Sequence, residues 1–114
     1  MKVIYHITTL AEWADAQAAG VYKPESLLRE GFIHCSPAEL LLHVANFYFS
    51  GRKGLVVLEI DEERLAAEVK WEGEGHAKFP HIYGPLELSS VENVAALKAN
   101  EAGEFEFPFK PTIH

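Results

Sequence analysis

Apolar and polar positions alternate with period two over Lys2–Ile7, which predicts a first strand with Val3, Tyr5 and Ile7 on one face and Ile4 with His6 on the other. Thr9-Leu10-Ala11-Glu12 then has the spacing of a capping box. It opens an alanine-rich helix carrying Trp13 that stops at Gly20, where a missing Cβ suits a left-handed cap. Tyr22 to Leu28, interrupted by Pro24 and Ser26, reads as a loop leading to a short helical turn. Gly31-Phe32-Ile33-His34-Cys35 predicts a short buried strand. It ends at Ser36-Pro37-Ala38-Glu39, a second capping box with proline at the first helical position, where its absent N–H is not missed. The helix so opened runs through Leu40, Leu41, His43, Val44, Phe47 and Tyr48 to a stop at Ser50-Gly51.

Gly54-Leu55-Val56-Val57-Leu58-Glu59-Ile60 is the most apolar run and has strand length, so it predicts a central strand, with Asp61 capping a turn over Glu62–Leu65. Glu68–Glu72 alternates around Val69 and Trp71, and a loop with Gly73, Gly75, His76 and Ala77 follows. Phe79 to Leu86 is the densest stretch. Pro80 and Pro85 bracket a short extended piece that presents His81 and Tyr83 on one face. In the tail, Val91, Val94, Ala95 and Lys98 would fit a helix. The turn residues Asn100–Gly103 before Glu104-Phe105-Glu106-Phe107 favour strands instead, because the two phenylalanines need a sheet face. There are no repeats, low-complexity tracts or linkers, so residues 1–114 read as a single α+β domain.

Composition narrows the function classes. Hydrophobic content of 48% suits a globular core, and no run approaches the ~18 apolar residues of a bilayer span. No membrane partner is expected. The first residues lack the apolar core of a signal peptide and Cys35 is the single cysteine, which together predict a cytoplasmic protein. Seventeen acidic against ten basic residues give a net charge of −7, which repels a polyanion, so nucleic acid is not the expected partner.

His6, His34 and His81 each lie in or beside a predicted strand, far apart in sequence, and are the candidate catalytic residues if the fold brings them together. Three imidazoles could also hold zinc or iron with one position open, but their spacing matches no metal motif, and each could be a core histidine satisfied by one carbonyl. Ser36 is explained as an N-cap, yet its hydroxyl would also stand beside the positive end of a helix, where an anion rests. Cys35 alternates to the face opposite His34 and reads as an inert buried thiol. Tyr22, Trp71 and Tyr83 could stack on a planar ligand or fill the core, with core favoured for Trp71. His43, His76 and His114 read as solvent histidines. Glu59 and Glu72 are the carboxylates to watch, although alternation also makes them ordinary outward residues. Arg29, Arg52 and Arg64 are isolated, so no phosphate clamp is visible.

Taken together, Ile4-Tyr5-His6-Ile7-Thr8, the block from Ser26 to Ser36, Gly54 to Asp61 and Phe79 to Leu86 resemble the bacterial Domain of Unknown Function 952 family over nearly the whole chain. That family resembles a small relative of the ADP-ribosyltransferases. The resemblance implies two short, mutually inclined sheets with two main helices and NAD in a cleft. Tyr5-His6-x-Thr8 is similar to the strand histidine and hydroxyl that orient the nicotinamide-side ribose there, and Glu30-Gly31-x-x-His34-x-Ser36 resembles a strand of RNA 2′-phosphotransferases. It implies ribose hydroxyls on His6 and Thr8, a phosphate or carbonyl oxygen on His34 and Ser36, stacking by Tyr83, and an acid or base in His81. The late-strand glutamate of such transferases is replaced here by His81 and Tyr83, and the arginines of the phosphotransferases have no match. The expected function is a histidine-lined cleft for a nucleotide-like small molecule, with NAD a candidate substrate. A non-catalytic binding module, or a metal-dependent hydrolase or isomerase with three histidine ligands, are the alternatives.

Overall fold

The computed structural model describes residues 2–73 and 75–109. Along the chain run β1 (Val3–Thr9), α1 (Leu10–Ala19), β2 (Val21–Tyr22), α2 (Glu25–Glu30), β3 (Ile33–His34), α3 (Ala38–Tyr48), β4 (Leu55–Asp61), β5 (Glu68–Glu72), β6 (Phe79–Tyr83), β7 (Leu86–Glu87) and β8 (Val91–Leu97). The result is an α+β domain. Among the described residues it has three α-helices and three antiparallel sheets, ordered β1-β4-β8, β2-β7 and β3-β6-β5, where two sheets and two main helices were expected. The third sheet and third helix come from the stretch around Tyr22, where Val21–Tyr22 pairs with Glu87–Leu86 instead of looping, and Glu25–Glu30 completes six helical residues. No helix among the described residues is long and apolar enough to cross a membrane.

The two most apolar runs pair with each other, Ile4 opposite Ile60 and His6 opposite Leu58, and the resulting sheet is buried on both faces. One face sets Ile4, Leu58 and Ile60 against Trp13, Ile33 and Ile82; the other sets Tyr5, Ile7 and Val57 against Leu41 and Ala45 of α3 and Phe105. Each fully buried Leu or Ile of this kind contributes roughly 1.5–3 kcal/mol. His6 and Thr8 are the polar interruptions of the first face.

The first capping box forms as expected: Thr9 Oγ1 accepts from the Glu12 amide at 3.0 Å, and Gly20 closes α1 at φ 84°. Asp61 likewise accepts from the Glu63 amide. The second does not form. Pro37 is the N-cap of α3, and no side chain caps the helix. Ser36 stays extended because its amide and carbonyl both pair with Tyr5, at 2.7 and 2.8 Å, and a residue before proline is disfavoured from helical geometry. The predicted core position of Trp71 is also corrected. It lies on β5, an edge strand, 39% exposed, and its indole N–H donates to Glu62 Oε1. In the tail, β8 and the Asn100–Gly103 turn form, but Glu104–Phe107 makes one bridge, Ala99 to Phe105, because the Phe105 amide donates to Asn46 Oδ1 of α3.

The two caps make contrasting predictions. Thr9→Ala removes a side-chain cap and lowers unfolding free energy by about 1 kcal/mol. Ser36→Ala removes no cap and leaves it unchanged or slightly higher, as urea titration of both variants measures.

Candidate functional site

A single short strap builds the site. Ile33 and His34 pair with Ile82 and His81 of β6, the Cys35 amide donates to the Pro80 carbonyl at 3.0 Å, and Ser36 then switches to β1 by its two bonds with Tyr5. Pro80 thus sits in the middle strand of its sheet. Its carbonyl and its missing N–H both face Cys35, just past the end of β3, so the carbonyl takes the Cys35 amide and only the one reciprocal bond is lost. Cys35, 4% exposed, is buried as expected, and burial pushes its thiol pKa up.

Because His34 and His81 are direct cross-strand partners, their rings stand 5.3 Å apart, edge to face. Phe32, two residues before His34 and therefore on the same face, stacks on His81 at 4.2 Å and also touches Tyr83. His81 Nδ1–H donates to Glu72 Oε1 at 2.9 Å, and the Tyr83 hydroxyl donates to the same oxygen at 2.5 Å. Those two bonds hold the Glu72 carboxyl below the usual range, the tyrosine having the larger effect, and Glu72 in turn raises Tyr83. The strap histidine is half-exposed rather than buried, with Nε2–H donating to Glu30 Oε2 at 2.9 Å.

His6 lies beneath this pair, 8% exposed. Its Nδ1 meets the His34 carbonyl at 2.5 Å and its Nε2 the Tyr22 hydroxyl at 2.7 Å. Burial pushes the imidazole down to about 4, so it is neutral at pH 7. A carbonyl can only accept, which fixes the His6 proton on Nδ1 and makes Nε2 the acceptor of the Tyr22 proton. The Tyr22–Thr8 contact at 3.0 Å then takes its proton from the threonine. Both nitrogens being engaged, a metal held jointly by His6, His34 and His81 would first have to break this network. Among the described residues no three His, Cys, Asp or Glu side chains converge on a metal position.

The cleft beside the strap has a volume of about 650 Å³, and His6, His34, Ser36 and His81 all line it, together with Arg29 and Arg52. The arginines, isolated in sequence, thus reach one cleft from two segments, Arg29 from α2 and Arg52 from the residues after α3. Tyr22 and Thr8 do not line it. They are 2% and 4% exposed and belong to the network under His6, not to a stacking platform. Trp71, on the edge strand, and Tyr83 do not line it either; Tyr83 is linked to His81 through Glu72 and Phe32. Glu59 accepts from the Tyr5 hydroxyl and Asn93, away from the cleft; burial and Glu59 together push Tyr5 up to about 12. His43 and His76 are exposed, and His114 lies outside the described residues.

The sequence profile described as "Protein of unknown function (DUF952)" matches residues 7–94. The chain belongs to the DUF952 family. Protein CC0527 from Caulobacter crescentus, a structural-genomics target, is similar to it over the whole fold. Its crystal structure is 37% identical, with 92% of this chain and 94% of that one covered and a TM-score of 0.84. Its solution structure is 39% identical, with 91% of each chain covered and a TM-score of 0.79. No curated protein matches.

Around the cleft, Phe32 and the placing of Arg52 escape a sequence reading, and Glu72 can be named in advance as a carboxylate to watch but not placed. Phe32 carries a signal, the Phe32-x-His34 spacing of a strand face. Glu72 reaches His81 only across the diagonal of a register in which Glu72 pairs with Phe79 and Lys70 with His81, and sequence does not supply that register. Arg52 has no local signal.

The depressed His6 predicts acid sensitivity. Between its unfolded value near 6.5 and about 4, the unfolded chain takes up a proton that the folded chain refuses, so stability falls as pH drops through that window. The loss is about 3 kcal/mol by pH 4. His6→Asn, which keeps a donor for the His34 carbonyl, should lose that component of the pH dependence, as urea unfolding at pH 7 and pH 4.5 compares.

Proposed function

We propose that this DUF952 protein binds a small polar, nucleotide-like ligand in the cleft and acts on it with His81 as general acid or base. The observation that carries the reading is the Glu72–His81 pair. A carboxylate holds Nδ1–H at 2.9 Å, Phe32 stacks on the ring, and Nε2 has no protein partner among the described residues. That is how an imidazole is prepared for proton transfer, tautomer and orientation being fixed by a carboxylate on the far nitrogen. His34, 5.3 Å away ring to ring, supplies a second titratable group on the same wall. The volume, about 650 Å³, falls in the range that holds cofactor-sized molecules. The likeness of Tyr5-His6-x-Thr8 to ADP-ribosyltransferases makes NAD the first molecule to try. Here His6 and Thr8 would act from beneath, through the His34 carbonyl and Tyr22, and not on ribose hydroxyls. A reducing cytoplasmic setting accords with the buried Cys35.

A thermal-shift series with NAD, ADP-ribose, nucleotides and divalent metals tests the reading. A ligand at a hundred times its dissociation constant adds about 2.7 kcal/mol, which moves the melting temperature by several degrees. With a ligand in hand, His81→Ala should keep affinity within a few-fold and lower turnover about 10²–10⁴-fold, followed by chromatography of products. Binding without product in either protein would make it a non-catalytic module.

A further inference from the structure

We propose that this cleft binds phosphoryl groups through Ser36, Arg29 and Arg52, so that the ligand is a phosphate ester or diphosphate; this deepens the proposed function and rests on it. Ser36 is 4% exposed, lines the cleft, and its hydroxyl has no hydrogen-bond partner among the described residues. A hydroxyl that opens on the cleft with no side-chain partner is free to donate to a ligand oxygen. The same residue leads into α3, eleven residues long, which reaches the cleft through Val44 and Tyr48.

Positive charge comes from the other walls. Arg29, in the last turn of α2, makes only an exposed 3.8 Å contact with Glu25. Arg52, in the turn after α3, lies over the Phe49 ring at 5.1 Å with no carboxylate partner among the described residues. These are two of the three arginines in a chain of net charge −7. Glu30, the carboxylate on this wall, is engaged by His34. Donors arriving from three separate segments suit the several terminal oxygens of a phosphoryl group better than a planar carboxylate, which one guanidinium fork satisfies. The cleft is far larger than an orthophosphate, which leaves room for the remainder of an ester toward His34 and His81.

Calorimetry with pyrophosphate, ADP-ribose, adenosine and succinate, on the wild type and on Arg29→Gln, Arg52→Gln and Ser36→Ala, tests this. Pyrophosphate and ADP-ribose should bind, more weakly as salt rises, and adenosine and succinate at least tenfold less tightly. Each arginine substitution should weaken pyrophosphate about tenfold. Melting temperatures without ligand should be unchanged, since neither guanidinium has a close protein carboxylate. Adenosine binding as well as ADP-ribose, succinate binding as well as pyrophosphate, or full pyrophosphate affinity in the Arg29→Gln/Arg52→Gln double variant overturns the subsite and leaves the cleft standing as a ligand pocket. Absence of binding by all four probes and by NAD overturns both.

Discussion

Two backbone hydrogen bonds between Tyr5 and Ser36 hold the molecule in its working shape. Residues 33 to 36 are too short to be a strand in their own right, yet they belong to two sheets, first to β6 and then, after Cys35, to β1. That switch joins the β1-β4-β8 sheet to the β3-β6-β5 sheet at one point. It also fixes where α3 can start, because a residue whose amide and carbonyl are both bonded to a strand and which precedes proline stays extended. Every histidine of the cleft is placed by this strap or by one of the strands it touches.

The core below the strap explains why the arrangement is stiff. β1 and β4 are buried on both faces, so a slip of one residue would exchange two complete sets of core side chains, and the register is strongly specified. Into that sheet the chain inserts His6 and Thr8, which, with Tyr22, form a closed set of hydrogen bonds ending on the His34 carbonyl. A buried polar network is tolerable only when its members are satisfied. This one satisfies both His6 nitrogens with no charge, and the same bond that neutralises its Nδ1 proton pins the strap. Core and cleft are coupled through one carbonyl.

Most of the elements were legible in the sequence because they rest on local chemistry: alternation in β1, the Thr9 box and Gly20 of α1, the apolar run of β4, the Asp61 cap, and the Asn100 turn. Where reading failed, a non-local partner had won. Ser36 has the spacing of a cap but spends its backbone on Tyr5. Trp71 alternates like a core residue but falls on an edge strand. Tyr22 looks like loop and pairs with Leu86. The three histidines could be named in advance, but only the β3–β6 register makes His34 and His81 neighbours, and only burial turns His6 into their support. The same limit left Glu72 a carboxylate to watch with no partner and left Arg29 and Arg52 isolated, because which walls face one another is not written locally.

The cleft walls differ in how firmly they are held, which follows from the elements that carry them. His81 and Glu72 sit on β6 and β5, paired over five residues from Glu68–Tyr83 to Glu72–Phe79, with Phe32 packed on the imidazole. Opposite them α2 is six residues long and buries none of them fully, with Leu27 its packed contact to the core. Local opening costs least where few apolar contacts must be broken. The sheet side is therefore built to hold an imidazole in one orientation, whereas the α2 side, carrying Arg29 and Glu30, can adjust at little cost. A carboxylate-held imidazole on a paired sheet thus shares one cleft with charged side chains on a looser element, and the two walls place separate demands on the fold.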